Sequence, residues 1–220
     1  MNPDFSCILF DLDGTIVDSA PGITATLAYT FETMGLPVPT PTELLAYVGP
    51  PILDSFRLLA HFTPEQSQHA LELYRDHYLK TGVFDATLYP GLRGVLKTIH
   101  DREVPLSLAT SKPEKPATLV LEHFDVLKYF DVITGASEDE KRSAKADVVA
   151  EALRRLAAIG ADISHPVMVG DRSHDVVGAA DHNVPTIFVR WGYGSPSEEV
   201  GTLGAATNAE QLTHLLFPAN

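Results

Sequence analysis

Apolar and polar positions follow two different rhythms along the chain. Cys7-Ile8-Leu9-Phe10 is a short continuous apolar run, the pattern of a strand buried on both faces. From Pro21 the spacing turns helical: Ile23, Leu27, Phe31 and Met34 recur on one side. Pro21 suits a first helical position and Gly35 a stop. The Pro-rich stretch 36–41 reads as a connector. Short helices are expected over Thr42 to Val48 and Ile52 to about His61, parted by Gly49-Pro50-Pro51. Thr63 is placed to cap another helix, with Pro64 at its first position, reaching Thr81-Gly82. The stretch 18–85 therefore reads as all-helical.

After Pro90 helices and strands alternate. Helices are expected over 91–102, 115–124, 143–159, 173–182 and 208–217, and strands over 104–109, 130–134, 167–169 and 185–189. Strands separated by helices imply right-handed crossovers and a parallel sheet. The expected fold is α/β, a doubly wound parallel-sheet (Rossmann-like) core built from 1–17 and 86–220. A small all-helical domain, 18–85, is inserted after the first strand. In such sheets the functional site lies beyond the carboxyl ends of the strands.

Polar residues gather at those ends. The first strand runs into Asp11-Leu12-Asp13-Gly14. With one residue between them, both acids point to one side of an extended chain. Paired carboxylates at the end of a buried strand are costly without compensation. A hard divalent cation such as Mg²⁺, which takes carboxylate, phosphate and water oxygens, would supply it. The strand before Thr110-Ser111-Lys112 ends in hydroxyls and a lysine, and Val167-Met168-Val169 leads to Gly170-Asp171. Asp171 and Asp175 stand four apart and share a face if a helix begins there. Taken singly, Asp171 also reads as a helix cap, Thr110-Ser111 as a turn and Lys112 as a solvated surface charge.

Composition narrows the function. The 220 residues carry a net charge of −13 and the sequence pI is near 5.0. Such a chain does not bind nucleic acid or anionic membranes through bulk charge. An anionic substrate needs a local positive site. One cysteine, Cys7, allows no internal disulfide. The amino-terminal residues do not read as a signal peptide, and no apolar stretch approaches the roughly 20 residues of a membrane span. A cytoplasmic location is expected. The nine histidines show no paired spacing, so zinc is not expected.

Phe10-Asp11-Leu12-Asp13-Gly14-Thr15, Thr110-Ser111-Lys112-Pro113, a downstream lysine and Gly170-Asp171-x-x-x-Asp175 together resemble the four motifs of the haloacid-dehalogenase-like hydrolase superfamily. Their order fits over essentially the whole chain. Trp191-Gly192-Tyr193-Gly194 is similar to the phosphoglycolate-phosphatase-like branch. The resemblance implies a Mg²⁺-dependent phosphatase acting on a small phosphorylated metabolite, phosphoglycolate or a nucleoside 5′-monophosphate. Asp11 would be the nucleophile and Asp13 the acid and base. Thr110 would bind a phosphoryl oxygen, with backbone N–H groups of Leu12 and Ser111 and the Lys112 side chain as further substrate contacts. Asp11, the Asp13 carbonyl, Asp171 and Asp175 would hold the metal. Lys141 and Lys145 both fall where the phosphate-site lysine belongs. Lys145 is preferred because it leads into the long helix, where a cation opposes the dipole and needs another reason to be. The insertion resembles a cap, and Gly49 sits in its specificity loop; Arg57 reads as facing the site or the solvent. A β-phosphoglucomutase-type phosphomutase and a catalytically silent binding protein on the same fold are the alternatives. Oligomeric state is not readable from the sequence.

Overall fold

The structure is a computed structural model that describes residues 5–218. Its elements in chain order are β1 (Cys7–Phe10), β2 (Val17–Asp18), α1 (Ala20–Thr33), α2 (Pro41–Leu45), α3 (Ile52–Leu58), α4 (Pro64–Lys80), β3 (Thr87–Leu88) and α5 (Leu92–Asp101). There follow β4 (Leu106–Pro113), α6 (Glu114–His123), β5 (Val132–Ala136), α7 (Lys145–Ala158), β6 (Pro166–Gly170), α8 (Ser173–Ala180), β7 (Thr186–Val189), β8 (Gly204–Ala206) and α9 (Ala209–Leu216).

Six strands form one parallel sheet in the order β5-β4-β1-β6-β7-β8. This is a doubly wound Rossmann-like order, which reverses beside the first strand. The crevice at that reversal lies between β1 and β6, the strands that lead to Asp11 and Asp171. Alternation along β1 sorts the core into two layers. Ile8 and Phe10 pack with Leu96 and Ile99 of α5, Val120 of α6 and Leu212 of α9. Leu9 faces the other way, against Val148 and Val149 of α7 and Ala179 of α8. Burial of β1 on both faces is why its sequence is a continuous apolar run.

Three features differ from the sequence reading. The strand expected to stop at Ala109 continues through Thr110, Ser111 and Lys112 to Pro113, with a shift of register against β5. Such irregularities re-aim side chains beside functional sites. Gly204–Ala206 adds a sixth strand; three small residues give no apolar period to read. Residues on either side of the helical segment, Val17–Asp18 and Thr87–Leu88, pair antiparallel.

Helices α1 to α4 occupy the span between β2 and β3. Thr63 and Gln66 close a reciprocal cap on α4, as do Thr40 and Glu43 on α2. An aromatic group of Phe31, Tyr47, Phe56, Phe62 and Tyr74 fills the centre. At its neck α1 presses on the returning chain. The Gly22 N–H donates to the Asp85 carbonyl at 3.0 Å, and a Cβ at Gly22 would overlap the Gly82 and Asp85 carbonyls. Gly22→Ala sets a helix-propensity gain of up to about 1 kcal/mol against overpacking of about 1–3 kcal/mol on backbone that has nowhere to move. A net loss of stability is expected in thermal denaturation; a raised Tm would contradict this packing.

Candidate active site

β1 delivers Asp11 directly from the sheet, and the Asp11 N–H still donates to the Val169 carbonyl of β6 at 2.9 Å. The turn that follows is tight: Gly14 has φ +84°, where a side chain is strained. A Cβ at Gly14 or at Gly192 would also overlap the Asp171 carboxylate. Both glycines therefore clear the space in which Asp171 sits.

Lys145, the first residue of α7, reaches the end of β1. Its Nζ lies 2.8 Å from Asp11 Oδ1 and 2.8 Å from Asp175 Oδ1, and donates to the Ala109 carbonyl at 3.0 Å. These contacts account for a cation at a helix N-terminus. Lys141, by contrast, pairs with Asp139 in solvent, its side chain 85% exposed. Lys112 is not a surface charge. It is buried and grips both oxygens of Asp13, at 2.9 and 3.0 Å, with its ammonium 4.7 Å from the centre of the Tyr78 ring. Ser19 Oγ also donates to Asp13, at 2.5 Å. The two acids of the first motif thus reach different lysines.

Asp171 is held by neutral donors. Tyr193 N–H donates to it at 2.7 Å and Thr15 Oγ1 at 3.1 Å. Helix α8 starts at Ser173, after Asp171. Asp171 and Asp175 therefore meet through the turn rather than through a shared helical face. Asp175 Oδ2 accepts the N–H groups of Asp171 and Arg172 at 3.1 and 3.0 Å, which ties that turn to the helix.

Carboxylate oxygens of Asp11, Asp171 and Asp175 all lie within 4.8 Å of one another, and all three residues are buried. Burial raises the Asp11 carboxyl to about 6 against the pull of Lys145, with Asp175 and Asp13 adding to the rise. Burial, then the charges of Asp175 and Asp11, push Asp171 well above the usual carboxylate range. Burial also opposes ionisation of Asp175, but Lys145 and His174 outweigh it and hold this carboxyl low. Asp11, Asp13, Asp171 and Asp175 face two buried ammonium groups, Lys112 and Lys145. Fully ionised, the cluster has two negative charges in excess, which is the charge of one divalent cation. An all-oxygen, partly uncompensated donor set fits Mg²⁺.

Of the remaining expected residues, Thr110 and Ser111 are buried beside Lys112. The Lys112 N–H donates to Thr110 Oγ1 at 3.3 Å. The Leu12 side chain joins the core while its carbonyl accepts the N–H groups of Ile16 and Val17. Gly49, at φ +106°, faces the His174 ring and the Arg172 stem. Arg172 in turn donates to the Val48 carbonyl at 2.8 Å. Arg57 points to solvent and pairs with Asp54. Sequence reasoning missed Ser19, Thr15, Tyr193 and the cross-cleft pair of Arg75 with Glu140. Only Thr15 and Tyr193 lay in stretches that the sequence singled out.

Removing the Lys145 ammonium leaves Asp11 and Asp175 buried without their cation. Lys145→Met is expected to lower stability by about 3–5 kcal/mol, measured by urea denaturation in chelator. A loss under about 1 kcal/mol would show that these charges are screened by water.

Residues 8–189 match the family model described as haloacid dehalogenase-like hydrolase. The tyrosine-protein kinase PtkA of Mycobacterium tuberculosis is 40% identical over 187 residues, which are 85% of this chain and 62% of that one. The chain thus spans less than two thirds of that relative. A 5′-nucleotidase of Pseudomonas aeruginosa is 32% identical over 191 residues, 87% of this chain and 85% of the relative. The crystal structure of a predicted phosphatase from Clostridium acetobutylicum superposes with a TM-score of 0.89 at 35% identity, covering 96% of this chain and 97% of that one. With three strand-end motifs and the Lys145 of α7 gathered around Asp11, the chain belongs to the haloacid dehalogenase-like hydrolase family.

Proposed function

We propose that this protein is a Mg²⁺-dependent phosphatase of small phosphomonoesters, working through an aspartyl-phosphate on Asp11. Phosphoglycolate and nucleoside 5′-monophosphates are the candidate substrates. The observation that carries the reading is the buried Asp11 carboxylate, gripped at 2.8 Å by Lys145 and set among Asp171 and Asp175.

Asp11, Asp171 and Asp175 would hold the Mg²⁺, which when bound supplies positive charge beside the phosphoryl oxygens. The chain's own groups do the rest. Lys145 keeps Asp11 ionised and oriented, and the free Asp11 oxygen attacks phosphorus as the bond to the leaving oxygen breaks. Asp13 gives its proton to that oxygen. The proton comes in with the phosphomonoester, whose second pKa is about 6, and passes through Asp13 to the leaving oxygen. Water then attacks the phosphorus of the Asp11 acyl phosphate, Asp13 takes the water's proton, and phosphate leaves with the Asp11 carboxylate restored. Lys112 and Ser19 hold Asp13 in line for both steps. Thr110 and Lys145 stabilise the charge that builds on the phosphoryl group. Residues 18–85 act as a cap that excludes water and reads the leaving group. Transfer of the phosphoryl group to a second hydroxyl, as in a phosphomutase, would use the same residues with an alcohol in place of water.

The test is phosphate release from a panel of phosphoesters with Mg²⁺. Asp11→Asn is expected to lower kcat by about 10³-fold or more, the scale of losing a nucleophile, and Asp13→Asn by about 10²–10⁴-fold. Wild-type rates in Asp11→Asn would remove the covalent mechanism. Absence of phosphate release from every ester by folded wild type would remove the phosphatase reading.

A further inference from the structure

Between the helical segment and the sheet lies a cavity of about 350 Å³. One end is the reacting end, where Asp13, Ser111 and Lys112 line it. The opposite wall comes from the helices: Tyr47, Ile52, Tyr74, Tyr78 and Leu79. Tyr74 and Tyr78, one turn apart on α4, lie parallel with ring centres 5.5 Å apart and 7° between planes. We infer that the substrate's leaving group is an alcohol bearing a planar ring, seated in this cavity, rather than a short anionic acid. The inference rests on the phosphatase reading of the same site and narrows it.

Size comes first. At about 350 Å³ the cavity falls within the roughly 300–1,000 Å³ of small-ligand pockets, which is more room than a two-carbon acid fills. Cavities of this size with aromatic walls suit ring-sized ligands.

Charge points the same way. A short acid would bring a second anionic group into the cavity and would need a free cation there. Lys112 is committed to both oxygens of Asp13. Arg75, at the rim, is committed to the Glu140 carboxylate and to the Glu138 carbonyl at 3.3 Å. Lys115 also lines the rim but is exposed, where a pairing is weak. The wall from the helices offers hydrocarbon, aromatic rings and hydroxyls. Aromatic side chains pack against another ring in offset or edge-to-face contact.

The junction between the two ends is built for an oxygen-rich group. Ser111 Oγ is buried, its residue 6% exposed, and has no hydrogen-bond partner among the described residues, while the buried Tyr78 OH has the already engaged Lys112 ammonium near it. A buried hydroxyl left alone is uncommon. Ester and phosphoryl oxygens of a bound substrate would supply the missing partner, with the ring lying beyond them along the tyrosines.

The experiment compares kcat/KM for adenosine 5′-monophosphate, phenyl phosphate and phosphoglycolate with Mg²⁺. It uses wild type, Ile52→Trp and Leu79→Trp, two partly exposed wall positions where indole fills the cavity. At least one ring ester is expected to exceed phosphoglycolate by about tenfold or more, and each tryptophan to cut that ester by about fivefold or more beyond its effect on phosphoglycolate. The nucleotide and phenyl arms distinguish a nucleoside from an aryl leaving group. Phosphoglycolate turned over as well as both ring esters would overturn the inference while leaving the phosphatase reading intact. So would tryptophans that fold yet depress all three alike. If no ester is hydrolysed the phosphatase reading fails, and calorimetric binding of the three to Asp11→Asn decides the ring question. Tighter binding of a ring ester supports the inference, and equal or weaker binding overturns it.

Discussion

Four carboxylates and two ammonium groups share one water-poor cleft. Lys145 serves Asp11 and Asp175, and Lys112 serves Asp13. Among the described residues Asp171 receives only neutral donors, the Tyr193 N–H and the Thr15 hydroxyl. It is also the acid whose carboxyl burial and neighbouring charge drive well above the usual range. An unpaired buried charge is expensive, and proteins retain one where something arrives to compensate it. The unequal pairing of these four acids gives the site its direction. Asp11 and Asp13 are kept oriented by lysines, and under the proposed function Asp171 is the acid whose charge a divalent cation would compensate.

The fold is what makes that arrangement affordable in space. The sheet order reverses beside β1, so β1 and β6 open a crevice at their carboxyl ends. Tight glycines at 14 and 192 let backbone close around Asp171 where any side chain would collide. Trp191 donates to the Thr15 carbonyl at 3.0 Å and Tyr193 OH to Asp18 at 2.8 Å. The segment after β7 therefore braces the turn that carries the first two acids. The same Tyr193 oxygen accepts the N–H groups of Ser19 and Ala20 at 2.8 and 3.0 Å. The start of α1 is thereby tied to the core beside Asp13.

Much of this was legible in the sequence because it depends on local pattern. A strand buried on both faces must be apolar throughout, and Cys7–Phe10 is. Acids, hydroxyls and lysines at strand ends were visible as breaks in apolar runs, and Lys145 stood out as a cation at the wrong end of a helix. Pairings between distant segments were not legible. Nothing in Thr110-Ser111-Lys112 says that the strand continues through a register shift and turns Lys112 inward onto Asp13. Nothing in Gly204–Ala206 marks a strand, because its small residues pack without a period. Ser19, Arg75 and the tyrosines of the cavity gain their roles only once the helical segment lies over the sheet.

Under the proposed function, one divalent cation matches the excess buried charge around Asp171. This is tested most directly by titrating Mg²⁺ into chelator-stripped protein in a calorimeter, wild type beside Asp171→Asn. One ion per chain is expected in wild type, with stability raised by about 2.7 kcal/mol at a hundred times its Kd, and with binding lost in Asp171→Asn. Absence of Mg²⁺ binding in folded wild type, or undiminished binding in Asp171→Asn, would contradict the account.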